Sequence, residues 1–248
     1  MNAILKSLFE RKSIRSFQQK VIPEKEKQLI IDSALQAPTA GNQILYSILD
    51  IDDQKIKDKL AILCDNQPFI ATAPMVLVFV ADVERWTDSY RYAKAEYRNP
   101  GYGDALLSCI DATIAAQNTV VAAQSLGIGS CYIGDILENK ERVVELLNLG
   151  KYQIPLTMVI YGYPREQQIR REKPKRFNKK YIVQKNKYQK LTKEEIRKMH
   201  QEVNIREGYN FEEYIRAFCK RKYMSEFALE FERSVREYFK EFDSRNEE

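Results

Sequence analysis

"LLSCIDATIAAQNTVVAAQSL", residues 106–126, decides the architecture. Its apolar residues run round most of a helical wheel, and many positions are Ala, Ser or Thr. A helix that is apolar on most faces is buried, and small side chains let neighbouring helices approach closely. We therefore read a long, buried central helix, closed by Gly127, with a subunit interface as a further use of its surface. Asp111, Gln117 and Asn118 within it are expected to be satisfied polar groups rather than catalysts.

Other elements are placed outward from that helix. Ile4, Leu5, Leu8 and Phe9 recur with helical spacing at the N-terminus. Pro23, Glu24 and Glu26 mark the first turn of a second helix that Pro38 stops. Residues 44–51 read as a strand, 55–63 as a helix, and "MVLVFVA", 75–81, as a central strand apolar on both faces. Residues 82–104, with Trp86, Tyr90, Tyr92, Tyr97 and "NPGYG", read as a less regular insertion suited to a lid or substrate loop. "GIGSCYIGD", 127–135, gives a short strand, 143–149 a helix, and 156–164 another buried strand. Thr192 and Glu195 form a capping box, and Phe227, Phe231, Val235, Tyr238 and Phe242 an aromatic helical stripe. The order lacks regular βαβ alternation and a GxGxxG loop, which points to an α+β sandwich. Residues 1–164 are expected to form the core, and 165–248 a basic connector and helical extension packed on the core or on a partner subunit.

Composition narrows the functional classes. With 44% hydrophobic and 30% charged residues, the 248-residue chain is ordinary globular material. Four scattered cysteines and one histidine, His200, argue against a zinc site or a disulfide framework. The longest continuous apolar run is too short for a membrane span and the N-terminus lacks a signal-peptide core, so a soluble cytoplasmic protein is expected. Net charge is +5, but residues 165–190 hold eleven Lys or Arg against two Glu, so the rest of the chain is acidic. Such a run is more often a solvated linker or a small-anion site than a nucleic-acid surface, and it matches no nucleic-acid motif.

"RKSIRSF", 11–17, gathers Arg11, Lys12 and Arg15 around Ser13. Cations at a helix C-terminus explain Arg11 and Lys12. Arg15 and Ser13 are left for a second reading, in which guanidinium, hydroxyl and backbone N–H groups hold a phosphate monoester.

Taken in order, "RKSIRSF", "SALQAPTAGNQ", Gln67 before the central strand, "AAQSLGIGSCYIG" and "YGYPRE…KPKR" resemble the FMN-dependent nitroreductase family, in its branch of nitro- and flavin reductases with an extended C-terminal arm. The resemblance implies a nitroreductase-like α/β sandwich with a mostly antiparallel central sheet flanked by helices, and a helical C-terminal arm. It implies that Arg11, Lys12, Ser13 and Arg15, with Lys173 and Lys175, hold the FMN phosphate. Pro38, Thr39 and Asn42 would approach the flavin, Gln67 its pyrimidine edge, and the Tyr132, Ile133 and Gly134 backbone its N5 and O4 region. Arg206 is the candidate for the 2′-phosphate of NADPH. No side chain stands out as a catalytic acid, base, nucleophile or metal ligand, which fits a family whose cofactor carries the reaction. The implied activity is ping-pong hydride transfer from NADPH or NADH through FMN N5 to nitroaromatics, quinones or free flavin, by a homodimer without nucleic-acid or membrane partners. Reductive dehalogenation, oxidation of a bound substrate, or flavin binding without turnover are the competing readings.

Overall fold

β2 (Met75–Asp82) organises the chain, because all eight of its residues are buried and each face must be covered by another layer. The computed structural model describes residues 1–243. It places β1 (Tyr46–Asp50) on one side of β2 and β4 (Gln153–Gly162) on the other, with β3 (Gly129–Ile133) outside β4. Every pairing in this sheet is antiparallel. Along β2, Met75, Leu77, Phe79 and Ala81 enter one core and Val76, Val78 and Val80 the other, the period of two that a pleated strand imposes. The register against β4 shifts between Phe79 and Val80, where Pro155, which has no N–H to donate, lies opposite Val80.

One face is covered by α2 (Glu24–Leu35) and α6 (Tyr102–Ser125), and α1 (Ala3–Glu10) and α2 both pack against α6. Ala112, Ala115, Ala116, Val120 and Ala123 of α6 are fully buried, so the small residues do bring backbones together. Thr119 and Tyr161 hydroxyls, 2.6 Å apart, tie α6 to β4. By length and composition α6 could cross a membrane, but its small-residue faces are taken by α2 and the sheet. The other face carries α3 (Gln54–Leu63), α4 (Pro68–Ala71) and α7 (Lys140–Leu147).

Residues 82–104 are more regular than their sequence suggests. Glu84–Tyr92 forms α5, and Trp86 and Tyr90, four residues apart, stack at 5.8 Å. Polar positions hide this helix from a hydrophobic-period reading, while Trp86 Nε1 anchors it to the Gln43 carbonyl at 2.8 Å.

Residues 13–17 run along the sheet margin, Ser13 bridging Ser130 and Phe17 bridging Pro164. Glycine permits the approach at both points. A Cβ at Gly129 would meet Ile14 Cγ1 at 2.6 Å, and one at Gly162 would meet Phe17 Cδ1 at 2.7 Å.

Contacts divide the described residues into two units, Met1–Arg171 with those from Glu230 onward, and Glu172–Leu229. α8 (Glu166–Arg170) lies in the first, as does α11 (Glu226–Lys240) from Glu230 onward. Tyr238 and Phe242 from the aromatic stripe are 1% exposed, and Phe242 packs edge-on against Tyr152. Arg233 makes a paired contact with Glu141, and Ser234 accepts from the Lys140 amide at 2.9 Å. The second unit carries α9 (Lys193–Val203) and α10 (Phe211–Phe218). The expected Thr192–Glu195 capping box starts α9, and His200 meets Phe177 edge-on and Phe211 at a tilt.

Glu138, after β3, is 6% exposed, and its Oε2 is buried without a hydrogen-bond partner. Burial, then Asp135, Asp65 and Glu230, push its carboxyl up to about 7. The native state thus keeps a proton that the unfolded chain releases at lower pH. The associated stability is full below the ordinary carboxylate range and is lost as pH rises through about 7. Urea unfolding of Glu138→Gln is expected to show a flatter pH profile than wild type between about pH 5 and 8, with the variant the more stable at the alkaline end.

Candidate functional site: a cationic cradle at the sheet margin

Glycine-permitted packing of residues 13–17 brings the basic motif against β3. The Ile14 amide donates to the Ser130 carbonyl at 2.9 Å, fixing Ser13 and Arg15 on either side of that bond. Burial pushes the Cys131 thiol up, while the Arg15 charge, hydrogen bonds from Ser13 and Arg15, and the Arg11 charge oppose it. Burial also raises the Tyr132 hydroxyl to about 12 against the pull of Arg11. Arg11, Ser13 and Arg15 therefore share one neighbourhood with Cys131 and Tyr132.

Arg11 is the most telling member, since its Nη1 is buried and has no hydrogen-bond partner. A guanidinium N–H taken out of water without an acceptor is costly, and an incoming anion removes that cost. Lys12 is used differently from the two arginines. Its ammonium donates to the carbonyl of Ile169 at 2.6 Å and to that of Arg171, at the C-terminal end of α8. Arg171 in turn reaches the Ser13 carbonyl, and Gln168 Oε1 accepts from the Arg15 amide at 3.4 Å.

The Pro38–Asn42 loop is held elsewhere on the same unit. Asp111, 2% exposed, accepts from the Thr39 hydroxyl, from the Ala40 amide at 3.3 Å and from the Leu45 amide at 3.2 Å. The Thr39 oxygen also accepts from the Ile44 amide at 2.9 Å. Gly41, Asn42 and Ile44 all have positive φ, giving a tight loop with Pro38, Gly41 and Asn42 exposed. Six residues along α6, Gln117 accepts from Tyr132 at 3.2 Å, so the helix carries both the loop and the β3 end, about 9 Å apart along its axis. Asn118 donates to the Ser33 carbonyl at 3.1 Å, so Asp111, Gln117 and Asn118 all have hydrogen-bond partners within the protein.

Gln67 caps α4 and donates to the Cys64 carbonyl at 2.8 Å. Its turn is joined to the one after β3 by Asn139 Nδ2, 3.0 Å from the Leu63 carbonyl. Ile133 is buried and Gly134 exposed, and a Cβ built on Gly134 meets nothing within 4 Å, leaving its backbone approachable.

Lys173, Lys175 and Arg206 belong to the second unit. Lys173 and Lys175, with Arg176, Phe177, His200 and Tyr214, line a cleft of about 700 Å³ within it. The Arg206 guanidinium lies 5.9 Å from the ring centres of both Tyr209 and Tyr214.

Chemically, the cradle suits a phosphate ester: a guanidinium with one buried, unpartnered nitrogen, a second arginine and a hydroxyl. Sequence reasoning missed Arg171 and Gln168. Both sit in or beside the basic 165–190 run, whose charge was legible, but spacing alone does not say which of its side chains turns back to residues 13–15.

A family model described as "Nitroreductase family" matches residues 8–163. The curated "FMN reductase [NAD(P)H]" of Bacillus subtilis is 34% identical over 167 residues, covering 66% of this chain and 67% of that protein. The "NADPH-flavin oxidoreductase" of Vibrio harveyi is 28% identical over 201 residues, 81% of each. Among solved structures, B. megaterium NfrA2 superposes with a TM-score of 0.78 at 27% identity, covering 94% of this chain and 98% of that one.

The triple acceptor role of Asp111 can be tested directly. Asp111→Asn puts an amide where three donors converge, and is expected to cost about 2–4 kcal/mol in urea unfolding. Hydrogen exchange at the Ala40 and Leu45 amides should accelerate before the rest of the sheet does; exchange unchanged there would remove Asp111 as the anchor of the loop.

Proposed function

The chain belongs to the nitroreductase family and is an NAD(P)H oxidoreductase that works through FMN; on that premise we propose that it reduces nitroaromatics, quinones or free flavin by a ping-pong cycle. The observation that carries this reading is the buried, unpartnered Nη1 of Arg11 beside Ser13 and Arg15. When bound, FMN supplies two-electron acceptance from a nicotinamide and donation to an acceptor at its N5.

The protein's own part is binding and orientation. Arg11, Ser13 and Arg15 hold the phosphate, with Lys12 bracing the Ile169–Arg171 carbonyls behind them. Gln67 and the Tyr132–Gly134 backbone address the ring, and Pro38, Thr39 and Asn42 supply a loop whose shape Asp111 maintains. Lys173 and Lys175 are the further cations that the family resemblance assigns to the FMN phosphate, and Arg206 is the one assigned to the 2′-phosphate of NADPH. Displacement of one nicotinamide product by the acceptor needs no protein nucleophile, in keeping with a cradle built from cations, amides and backbone.

Two copies of the chain form the working unit. Ile4 and Phe9 of α1 are 64% and 66% exposed, and Leu106 and Ile110 on the adjoining α6 are 60% and 47% exposed. Apolar surface on two neighbouring helices is what a self-complementary interface covers. Light scattering is expected to give twice the chain mass, and Ile110→Lys to give a monomer; a wild-type monomer would overturn the dimer.

Anaerobic NADPH should bleach the visible band of reconstituted protein, and a nitroaromatic or quinone should restore it. Initial-rate lines should be parallel when donor and acceptor are varied together; intersecting lines would overturn the ping-pong order. Arg11→Gln should weaken FMN about tenfold or more in a fluorescence titration. Arg206→Ala should lower the kcat/KM ratio of NADPH to NADH, and an unchanged ratio removes Arg206 from the nucleotide site. A flavin that binds but is bleached by neither nucleotide would end the reductase reading.

A further inference from the structure

Beside the cradle, a second hollow opens between residues 15–21 and the segments 54–57 and 71–74. It measures about 630 Å³, and its lining includes Arg15, Lys20, Lys57 and Arg165, with Gln18 and Gln54 among its amides. Among the described residues, no carboxylate lines it. The volume is that of a small-molecule site.

Lys57 is the unusual member. It is 8% exposed, and its Nζ donates to the Ala73 carbonyl at 3.3 Å, one bond for a group with three donors. Burial and then the Lys27 charge pull its pKa down, and Asp52 and Asp50 oppose that pull. Three nearby carboxylates are engaged elsewhere, Asp50 with Lys27, Asp58 with Gln54 at 2.7 Å and Glu26 with Tyr163 at 2.6 Å, while Asp52 acts on Lys57 through its charge without bonding to it. The Lys20 ammonium stands 3.9 Å over the Tyr163 ring, and Arg165 Nε donates to the Phe17 carbonyl at 2.8 Å. Arg15, Lys20 and Arg165 put three exposed cations on the rim of the hollow, and Lys57, largely buried with no carboxylate hydrogen bond, is better satisfied when an anion shares the site.

We propose that this hollow is a second phosphate site, adjoining the cradle at Arg15 and taking a pyrophosphate or a phosphate ester through Lys20, Lys57 and Arg165. The same chemistry is offered by the pyrophosphate bridge of a nicotinamide dinucleotide and by a separate phosphorylated metabolite. The first source rests on the reductase reading above; the site itself does not.

The test is calorimetric titration of inorganic pyrophosphate into FMN-loaded protein, in which the cradle is already taken. Lys20→Gln and Lys57→Met are each expected to weaken pyrophosphate about tenfold. Lys20 is exposed, so its variant keeps the test decisive if Lys57→Met fails to fold. Absence of pyrophosphate binding to wild type, or equal affinity in Lys20→Gln, overturns the proposal. With binding lost in the variants, a matching rise in KM for NADPH at constant kcat identifies the dinucleotide, and an unchanged KM identifies a separate phosphorylated ligand. If the protein takes up no FMN, the reductase reading fails by that result alone, and the titration still judges the hollow through Lys20.

Discussion

A strand buried on both faces cannot rest on one layer, and most of this structure follows from meeting that demand for β2. Alternate residues of Met75–Asp82 enter different cores, so helices must cover both sides of the sheet at close range. On one side the demand is met by α6, whose alanines let the helix lie close to the strands and to α2. On the other it is met by α3, α4 and α7. With both faces taken, the margin beyond β3 is left for residues 13–17, and that is where the cations gather.

Periodicity carried the main elements well. The small-residue face of α6, the two-faced apolarity of β2 and the Thr192 capping box are local signals whose physical cause lies within a few residues. α5 escaped because its helical contacts are aromatic stacking and a Trp86 bond to Gln43, forty-three residues earlier. The polar residues of α6 were read correctly as structural, yet their partners were not legible. That Asp111 shapes the Thr39–Leu45 loop depends on a contact sixty-six to seventy-two residues distant in the chain.

For the proposed site, the reading rests on residue type rather than position. Arg11, Ser13 and Arg15 have the chemistry that suits an anion, whereas Lys12 resembles them in sequence and differs in its contacts, being spent on backbone carbonyls at the end of α8. Arg171 shows the converse, since one cation among eleven between residues 165 and 190 acquires its contact with Ser13 only from the path of the chain after β4. The arrangement contains positioning groups in abundance, a division of labour suited to a reaction whose electrons are handled by a bound ring system.

The bridges from Ser13 to Ser130 and from Phe17 to Pro164 have a temporal meaning as well as a spatial one. A growing chain exposes its basic motif at the outset, but the strands that fix it emerge more than a hundred residues later, and the carbonyls that brace Lys12 later still. Closing so long a loop is slow compared with forming α1 or α2. Chains halted before residue 171 would therefore carry the right side chains without their geometry, and competence to hold an anion becomes a mark of a finished molecule.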